Sequence, residues 1–467
     1  MRCDGATQGC AKKIGKDRLK ARGDMTADYF RLRWRRFKRG AIEYCKYDSR
    51  VMRLLIGQCG VIVARVLKRV GKSDAAVRLA MYLHRNALCA SADQYAESFI
   101  NELIASKDSF RERYILESVV DERVRRFMDS PERLLGTRLL VLRESGDSEK
   151  GLIALDYSFA FRVFAAKFNV SEVVRKYHLV LEPSWSGLCD EDVLALSSYG
   201  DIFVQTNEAR DVNFLESVRL SIIPINIAAN WWIDTRIFRP LPNRERDAHV
   251  LVNASWAEFK RHEFIFAALS KLRHSGVELK TILVGYPNGL EASDVRELAR
   301  QYNVEGQVEL YENIPPSRIN DLLNRVHLNL VWSRREGSNR ALAEGLSAGV
   351  RGILRVGFNY GFEYPFVRDG LVCFADERSL PSELIRACSS NEDLDPRAWI
   401  EKNMNPQLAT ERIDAAVARR CSVIGERWTA GKIAVKVSAL NCMEYWNRNE
   451  RLRFEKDYEF LRSQMRM

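Results

Sequence analysis

The sequence predicts an α/β protein built from two parallel-sheet layers facing a cleft, with an added helical region ahead of them. Three observations carry this. From Arg138 onward, short apolar strands alternate with helical stretches. That alternation is broken once, by the charged, proline-containing stretch RIFRPLPNRERD (236–247), which reads as a linker between layers. Residues 76–130 show helical periodicity, as in Ala76, Leu79, Ala80 and Leu83 and then Phe99, Leu103 and Ile104, with no strand-like run between. At 467 residues, 46% hydrophobic and 29% charged, the chain is long enough for two or three domains and too apolar for disorder.

The expected organisation is a basic amphipathic segment (1–72), a helical region (73–137), an N-terminal layer (138–243), a C-terminal layer (244–430) and a helical tail (431–467). Charge is concentrated at the start. Residues 1–72 hold 20 Lys and Arg against 6 Asp and Glu, a net +14, while the remaining 395 residues sum to −3. YFRLRWRRFKRG (29–40) interleaves aromatics with arginines, and Leu54 to Ala64 is a mostly apolar patch flanked by Arg53, Arg65, Lys68 and Arg69. Two readings stand for residues 29–72: a helix lying in an anionic membrane surface, or one packed on the chain's own core with its cations in water. No nucleic-acid-binding motif accompanies the charge, so nucleic acid is not expected as a partner. Met25, followed by TADYF, is a second candidate start. The first residues lack the apolar core of a secretory signal, and no apolar run reaches the roughly 18–20 residues of a membrane span. Ten cysteines are scattered without C-x-x-C spacing, which fits reduced thiols in the cytoplasm, here at the inner face of a membrane.

In the first layer, RLLVLRES (138–145), HLVLEPSW (178–185), DIFVQT (201–206) and SIIPINIA (221–228) are the expected strands. In the second they are AHVLVNAS (248–255), LKTILVG (279–285), QVELY (307–311), VHLNLVWS (326–333), RGILRV (351–356) and LVCFAD (371–376). Most lead into a helical stretch, which is the pattern of a doubly wound sheet, and ligands of such sheets sit beyond the carboxyl ends of the strands.

REGSNRALAEGLSAG (335–349) follows one of those ends. Ser338 is the expected N-cap of the next helix, and the backbone N–H groups of Gly337, Ser338 and Asn339, with the helix dipole behind them, suit a diphosphate. Glu344 lies about 9 Å along the axis from Ser338 at roughly 1.5 Å per residue. Glu336 and Glu344 therefore address different parts of an elongated ligand, as acceptors for hydroxyl groups on either side of the phosphates.

A Glu, seven residues and a Glu within EGSNRALAEGLSAG resembles the signature of retaining GT-B glycosyltransferases of family 4, the glycosyl transferases group 1. WAEFKRHEFIFAAL (256–269) resembles that family's Lys-bearing loop and helix, LVGYP (283–287) its strand-to-glycine turn at Gly285, and NWWIDTRIFRPLP (230–242) its interdomain element. The likeness runs over roughly residues 138–430. It implies two Rossmann-like domains, a nucleotide-diphosphate sugar as donor substrate, a saccharide or lipid-linked acceptor as in polysaccharide biosynthesis, no cofactor, and transfer with retention. It implies that Lys260 binds the diphosphate, Glu336 the donor sugar and Glu344 the ribose. Where many members carry an Arg five residues before the Lys, this chain has Ser255, so the site is one cation short or recruits Arg261, Arg335 or Arg340.

The family's glycine loop is expected in ESGDSEKGLIALDYS (144–158), with Gly146, Lys150 and Gly151 facing the diphosphate. Glu182, Trp185, Asn207 and Arg210, near strand ends of the first layer, are acceptor-side candidates. No metal is expected: the Asp-x-Asp runs in CDED (189–192) and DLD (393–395) each precede a helix, where capping explains the acids. His262, near Lys260, is placed to touch the phosphate. The alternatives are a non-catalytic scaffold of this fold tethered to a membrane, and a sugar-nucleotide epimerase or hydrolase.

Overall fold

The structure is a computed structural model and describes residues 34, 37–38, 40–86, 88–105, 122–183, 191–206, 209–217, 221–334, 336–356, 370–389, 394–439 and 442–466. The chain divides into two compact units, Met1–Arg53 and Leu54–Met467. In the first, the described residues up to Asp48 form helix that ends in a π-helical turn, Tyr44–Asp48, and the rings of Trp34 and Phe37 stack at 5.9 Å.

The second unit carries everything from Leu54 onward. Helix α1 (Arg50–Arg69) buries Gly57, Val61 and Ala64, and Val61 packs in a small cluster with Leu83, Leu88 and Ala92 of the segment after it. Helices α2 (Ser73–Arg85), α3 (Ala90–Ala105) and α4 (Glu122–Asp129) follow. Ala76 and Ala80 are buried as their helical spacing predicts.

The first sheet holds β1 (Leu139–Arg143), β2 (Gly151–Asp156), β3 (Tyr177–Glu182), β4 (Ile202–Gln205) and β5 (Ile222–Ile225), in that spatial order. Helices α5 (Ser158–Lys167), α6 (Val170–Lys176), α7 (Glu191–Leu196) and α8 (Ala209–Ser217) connect the strands from β2 onward. Strands β2 to β5 are parallel; β1 is antiparallel to β2. Sequence reading missed β2. GLIALD, expected within the glycine loop, is a fully buried strand, so β1 and β2 form a hairpin.

The linker 234–249 is irregular and fastened to the second lobe. Ser347 donates to the Phe238 carbonyl at 2.6 Å, and Asn320 and Asn324 accept from the Arg239 and Leu241 amides at 3.0 and 2.8 Å. Strand β6 (Val250–Asn253), α9 (His262–His274), β7 (Thr281–Gly285), α10 (Ala292–Gln301), β8 (Val308–Glu312), α11 (Pro316–Leu323), β9 (Leu328–Val331), α12 (Arg340–Ser347), β10 (Arg351–Arg355) and β11 (Val372–Ala375) build that lobe. All six strands stand where the sequence predicts them. The sheet is parallel throughout, in the order β11-β10-β9-β6-β7-β8, with its reversal between β6 and β9.

Helices α13 (Leu380–Ser389) and α14 (Pro396–Asn403) complete it, and Asp395 caps α14 by accepting from the Ala398 amide, the capping role expected of DLD. Helix α15 (Pro406–Ile424) packs in the core of the first sheet through Ala409, Ile413, Val417 and Cys421, a four-residue spacing that lines one helix face.

The tail, expected to be helical, begins instead with a hairpin, β12 (Lys436–Ser438) and β13 (Met443–Tyr445), before α16 (Glu450–Arg453) and α17 (Glu455–Ser463). It seals the free edge of β1. Tyr445 donates to the Val141 carbonyl at 2.7 Å, Tyr458 accepts from the Val141 amide at 3.2 Å, and the Ala434 amide bonds the Leu142 carbonyl at 2.7 Å. An edge strand so capped has no unmet backbone groups at these positions. Replacing Tyr445→Phe removes a buried donor and is expected to cost about 1–3 kcal/mol in denaturant unfolding. Leu452→Ala, at an exposed site of the same tail, is expected to stay within about 0.5 kcal/mol.

Candidate active site

The reversal of strand order between β6 and β9 splits the connections to either side and leaves a crevice at the carboxyl ends of those two strands. The loop after β6 and the loop after β9 meet there, joined by the Arg334 amide and the Phe259 carbonyl at 2.7 Å. Lys260 ends a 3₁₀ turn, Glu258–Lys260, and Arg261 follows in the left-handed region with φ 58° as α9 begins. This sharp turn sends the two neighbouring cations in different directions. Lys260 forms an ion pair with Glu336, both side chains 13% exposed, and Ser333 also donates to the Glu336 carboxylate.

Glu344, on the second turn of α12, is buried; its Oε2 accepts from Asn253 Nδ2 at 2.9 Å and its Oε1 lies 3.8 Å from the Arg340 guanidinium. Burial raises its pKa, and Arg340 and Asn253 act against that. Helix α12 can press this close to β9 because residue 345 is glycine: a Cβ there would lie 2.4 Å from Asn329 Nδ2. Gly285 serves the neighbouring strand in the same way, since a Cβ would meet the Ala254 carbonyl at 2.4 Å. The loop bearing Ser255 then lies against β7, where Asn288 donates to the Ser255 hydroxyl at 3.3 Å.

Three sequence expectations change in detail. Asn339, not Ser338, caps α12, its side chain accepting from the Leu342 amide at 2.7 Å; Ser338 stands one residue outside the helix, and Gly337 and Asn339 are buried beside it. Arg261 does not join Lys260. Its guanidinium pairs with Glu377 beyond β11 and stacks on Phe264. His262 is enclosed, with Nε2 3.2 Å from the Ser255 carbonyl, and burial holds its pKa down to about 4. Arg335 lies outside the described residues.

The expected glycine loop is corrected outright. Gly146, Lys150 and Gly151 lie in the β1–β2 hairpin, at the amino end of the parallel strands, because β1 runs opposite to β2. Lys150 there pairs with Glu426 at 2.8 Å. The cleft end of β2 is Asp156, followed by Tyr157 with φ 63° at the start of α5.

Asp156 and Glu182 stand in register at the carboxyl ends of adjacent strands. Lys436 of β12, fully buried, reaches Glu182 at 2.6 Å, its ammonium 3.9 Å from the Trp232 ring; Arg138 holds Asp156 at 2.8 Å. Burial pushes Asp156 up to about 7 and lowers Lys436. From the second lobe, Arg340 donates to the Ser438 carbonyl at 3.2 Å, so one short strand touches both sides. Of the acceptor-side candidates, Glu182 is thus an ion-pair partner of Lys436. Arg210 lies on α8, and Trp185 and Asn207 lie outside the described residues, as do Asp190 and Asp393 of the two Asp-x-Asp runs. Sequence reading missed Asp156, Lys436, Asn253 and Ser333; the last two were reachable, because Asn253 closes β6 and Ser333 lies two residues past the end of β9, the strands that flank the reversal.

The two lobes, the stapled linker and the return of α15 to the first lobe define the GT-B fold. Residues 234–370, which include every second-lobe residue named in this site except Glu377, match the family profile described as Glycosyl transferases group 1. Among solved structures, sucrose-phosphate synthase from Thermosynechococcus elongatus is similar at 12% identity, covering 59% of this chain and 74% of that one with TM-score 0.45. HepE of Anabaena, in complex with UDP and glucose, is similar at 15% identity, with 56% and 77% covered and TM-score 0.43. The C-terminal domain of a glycosyl transferase group 1 family protein from Francisella tularensis shows 15% identity, 37% and 97% covered, and TM-score 0.32. With TM-scores below 0.5, these likenesses add nothing to what strand order already establishes. No curated protein sequence matches the chain.

The raised Asp156 makes a signed expectation. Below about pH 7 the native carboxyl holds a proton that the unfolded chain loses near pH 4, so its contribution to stability is full at low pH and is lost as pH rises through 7. Asp156→Asn removes it. Thermal melts should show the variant gaining on wild type by up to about 1.4 kcal/mol per pH unit from pH 5 to 7; a constant difference would contradict the shift.

Proposed function

We propose that the protein transfers a sugar from a nucleotide-diphosphate donor to a saccharide or lipid-linked acceptor, with retention of the anomeric configuration and without a metal. The Lys260–Glu336 pair at the strand-order reversal carries this reading. An ammonium there can neutralise the charge that develops on a departing diphosphate, and a helix start beside it adds backbone donors. Glu336 then exchanges Lys260 for a hydroxyl of the donor sugar. Glu344, one helical stretch away and already accepting from Asn253, takes the ribose hydroxyls. Retention follows from transfer on the face the donor leaves, with the phosphate oxygen receiving the acceptor's proton, so no enzymic nucleophile is needed. Arg340, beside Glu344, is the cation that compensates for Ser255.

The acceptor is lipid-linked in this reading, and α1 supports it. Leu54, Leu55, Ile62, Val63, Val66 and Val70 are between 45 and 61% exposed. At about 100° per residue, Leu55, Ile62, Val63, Val66 and Val70 share one face. Arg65 and Arg69 fall beside it, and the buried Gly57, Val61 and Ala64 lie on the far side. An apolar stripe edged by cations suits an anionic lipid interface. No helix among the described residues is long and apolar enough to cross a membrane.

Lys260→Ala and Glu336→Ala are each expected to lower transfer by about 10²-fold or more, with melting temperatures near that of wild type, in assays with UDP-, GDP-, ADP- and CMP-sugars. Near-normal turnover in the folded variants would refute the assignment, and donor hydrolysis without acceptor would favour a hydrolase. Sedimentation with phosphatidylserine vesicles should fall for the double variant Ile62→Glu, Val66→Glu while transfer to a soluble acceptor analogue persists; unchanged sedimentation would remove the membrane from the account.

A further inference from the structure

Three potential metal ligands converge at the amino end of the first sheet, away from the cleft. His178 is the second residue of β3, Cys421 lies in the last turn of α15, and Glu426 follows Gly425, the left-handed residue (φ 76°) that ends that helix. The Glu426 amide bonds the Cys421 carbonyl at 2.9 Å, the helix-ending turn that folds residue 426 back beside 421. His178 Nε2 lies 3.4 Å from Cys421 Sγ and 3.5 Å from Glu426 Oε2, and all three ligating atoms fall within 4.8 Å of one another.

We propose that His178, Cys421 and Glu426 form a Zn²⁺ site of three protein ligands and one water. A tetrahedral zinc with Zn–S about 2.3 Å and Zn–N and Zn–O about 2.0–2.2 Å sets ligand-to-ligand edges of roughly 3.3–3.6 Å. Two edges of the cluster already have that length. Glu426 Oε2 is buried and takes part in no hydrogen bond, while Oε1 is held by Lys150 at 2.8 Å, which aims the carboxylate. The rings of Phe203 and Trp428 stand edge-on to the imidazole and wall it from solvent. Zinc binding converts the Cys421 thiol to a Zn-bound thiolate and releases one proton to solvent. Such an ion staples β3 to the helix that returns from the second lobe; it supports structure and takes no part in transfer.

The test uses full-length protein stripped with a chelator and titrated with Co²⁺. One equivalent should produce a near-ultraviolet thiolate-to-cobalt band with visible bands of tetrahedral cobalt, and Zn²⁺ should abolish both. Cys421→Ser should lose the near-ultraviolet band, and Lys260→Ala should keep it, which separates this site from the transferase reading. Zn²⁺ should raise the melting temperature of wild type and not of Glu426→Gln, a position whose side chain is 34% exposed. A wild-type protein without the band, a band unchanged in Cys421→Ser and owed to another of the ten cysteines, or an equal zinc-induced shift in Glu426→Gln would each overturn the proposal.

Discussion

The first sheet runs its parallel strands in sequence order, and that constraint shapes the rest of the molecule. Right-handed crossovers between strands taken in order all fall on one face. The opposite face, and the antiparallel edge strand β1, are left for other segments to cover. The C-terminal chain covers them: α15 lays Ala409, Ile413, Val417 and Cys421 into that core, and the hairpin and α17 close the β1 edge through Tyr445 and Tyr458. Alternation along β3 puts His178, Val180 and Glu182 on this same face. At one end it meets Cys421, and at the other Lys436.

The covering segment thereby becomes part of the cleft. Lys436 joins Glu182 in the first lobe, and two residues later the Ser438 carbonyl takes Arg340 at the start of α12. A buried lysine without a carboxylate would be expensive, so the Glu182 pair holds β12 in place as much as β12 neutralises Glu182. Two elements far apart in sequence are thus fixed against each other by charge. The second lobe needs no such help, since its order reversal lets its own helices cover both faces.

That difference explains what the sequence made legible. All six strands of the second lobe were readable, as were the positions of Lys260, Glu336 and Glu344 after β6 and β9, because each strand is followed directly by its loop and helix, so local pattern and tertiary position agree. The first lobe was harder. Gly151 resembles a loop glycine, yet it opens β2 because a Cβ there would lie 2.6 Å from both the Arg143 carbonyl and the Tyr177 ring. Strands β12 and β13 have three residues each, too few to show alternation. Lys436 is 254 residues from Glu182, and Cys421 is 243 from His178. No spacing rule joins residues that only the return of the chain brings together. Adjacency to Lys260 predicts that Arg261 shares its site, but its left-handed backbone turns it to Glu377 instead.

The central claim is that a nucleotide's two phosphates bind where the loops after β6 and β9 meet. Titration calorimetry of wild type and Lys260→Ala with a panel of UDP-, GDP- and ADP-sugars tests it most directly. One donor class should bind wild type with 1:1 stoichiometry and bind the variant at least about tenfold more weakly, a loss of roughly 1.4 kcal/mol. Equal affinity in the two proteins, or no donor bound by wild type, would contradict the account.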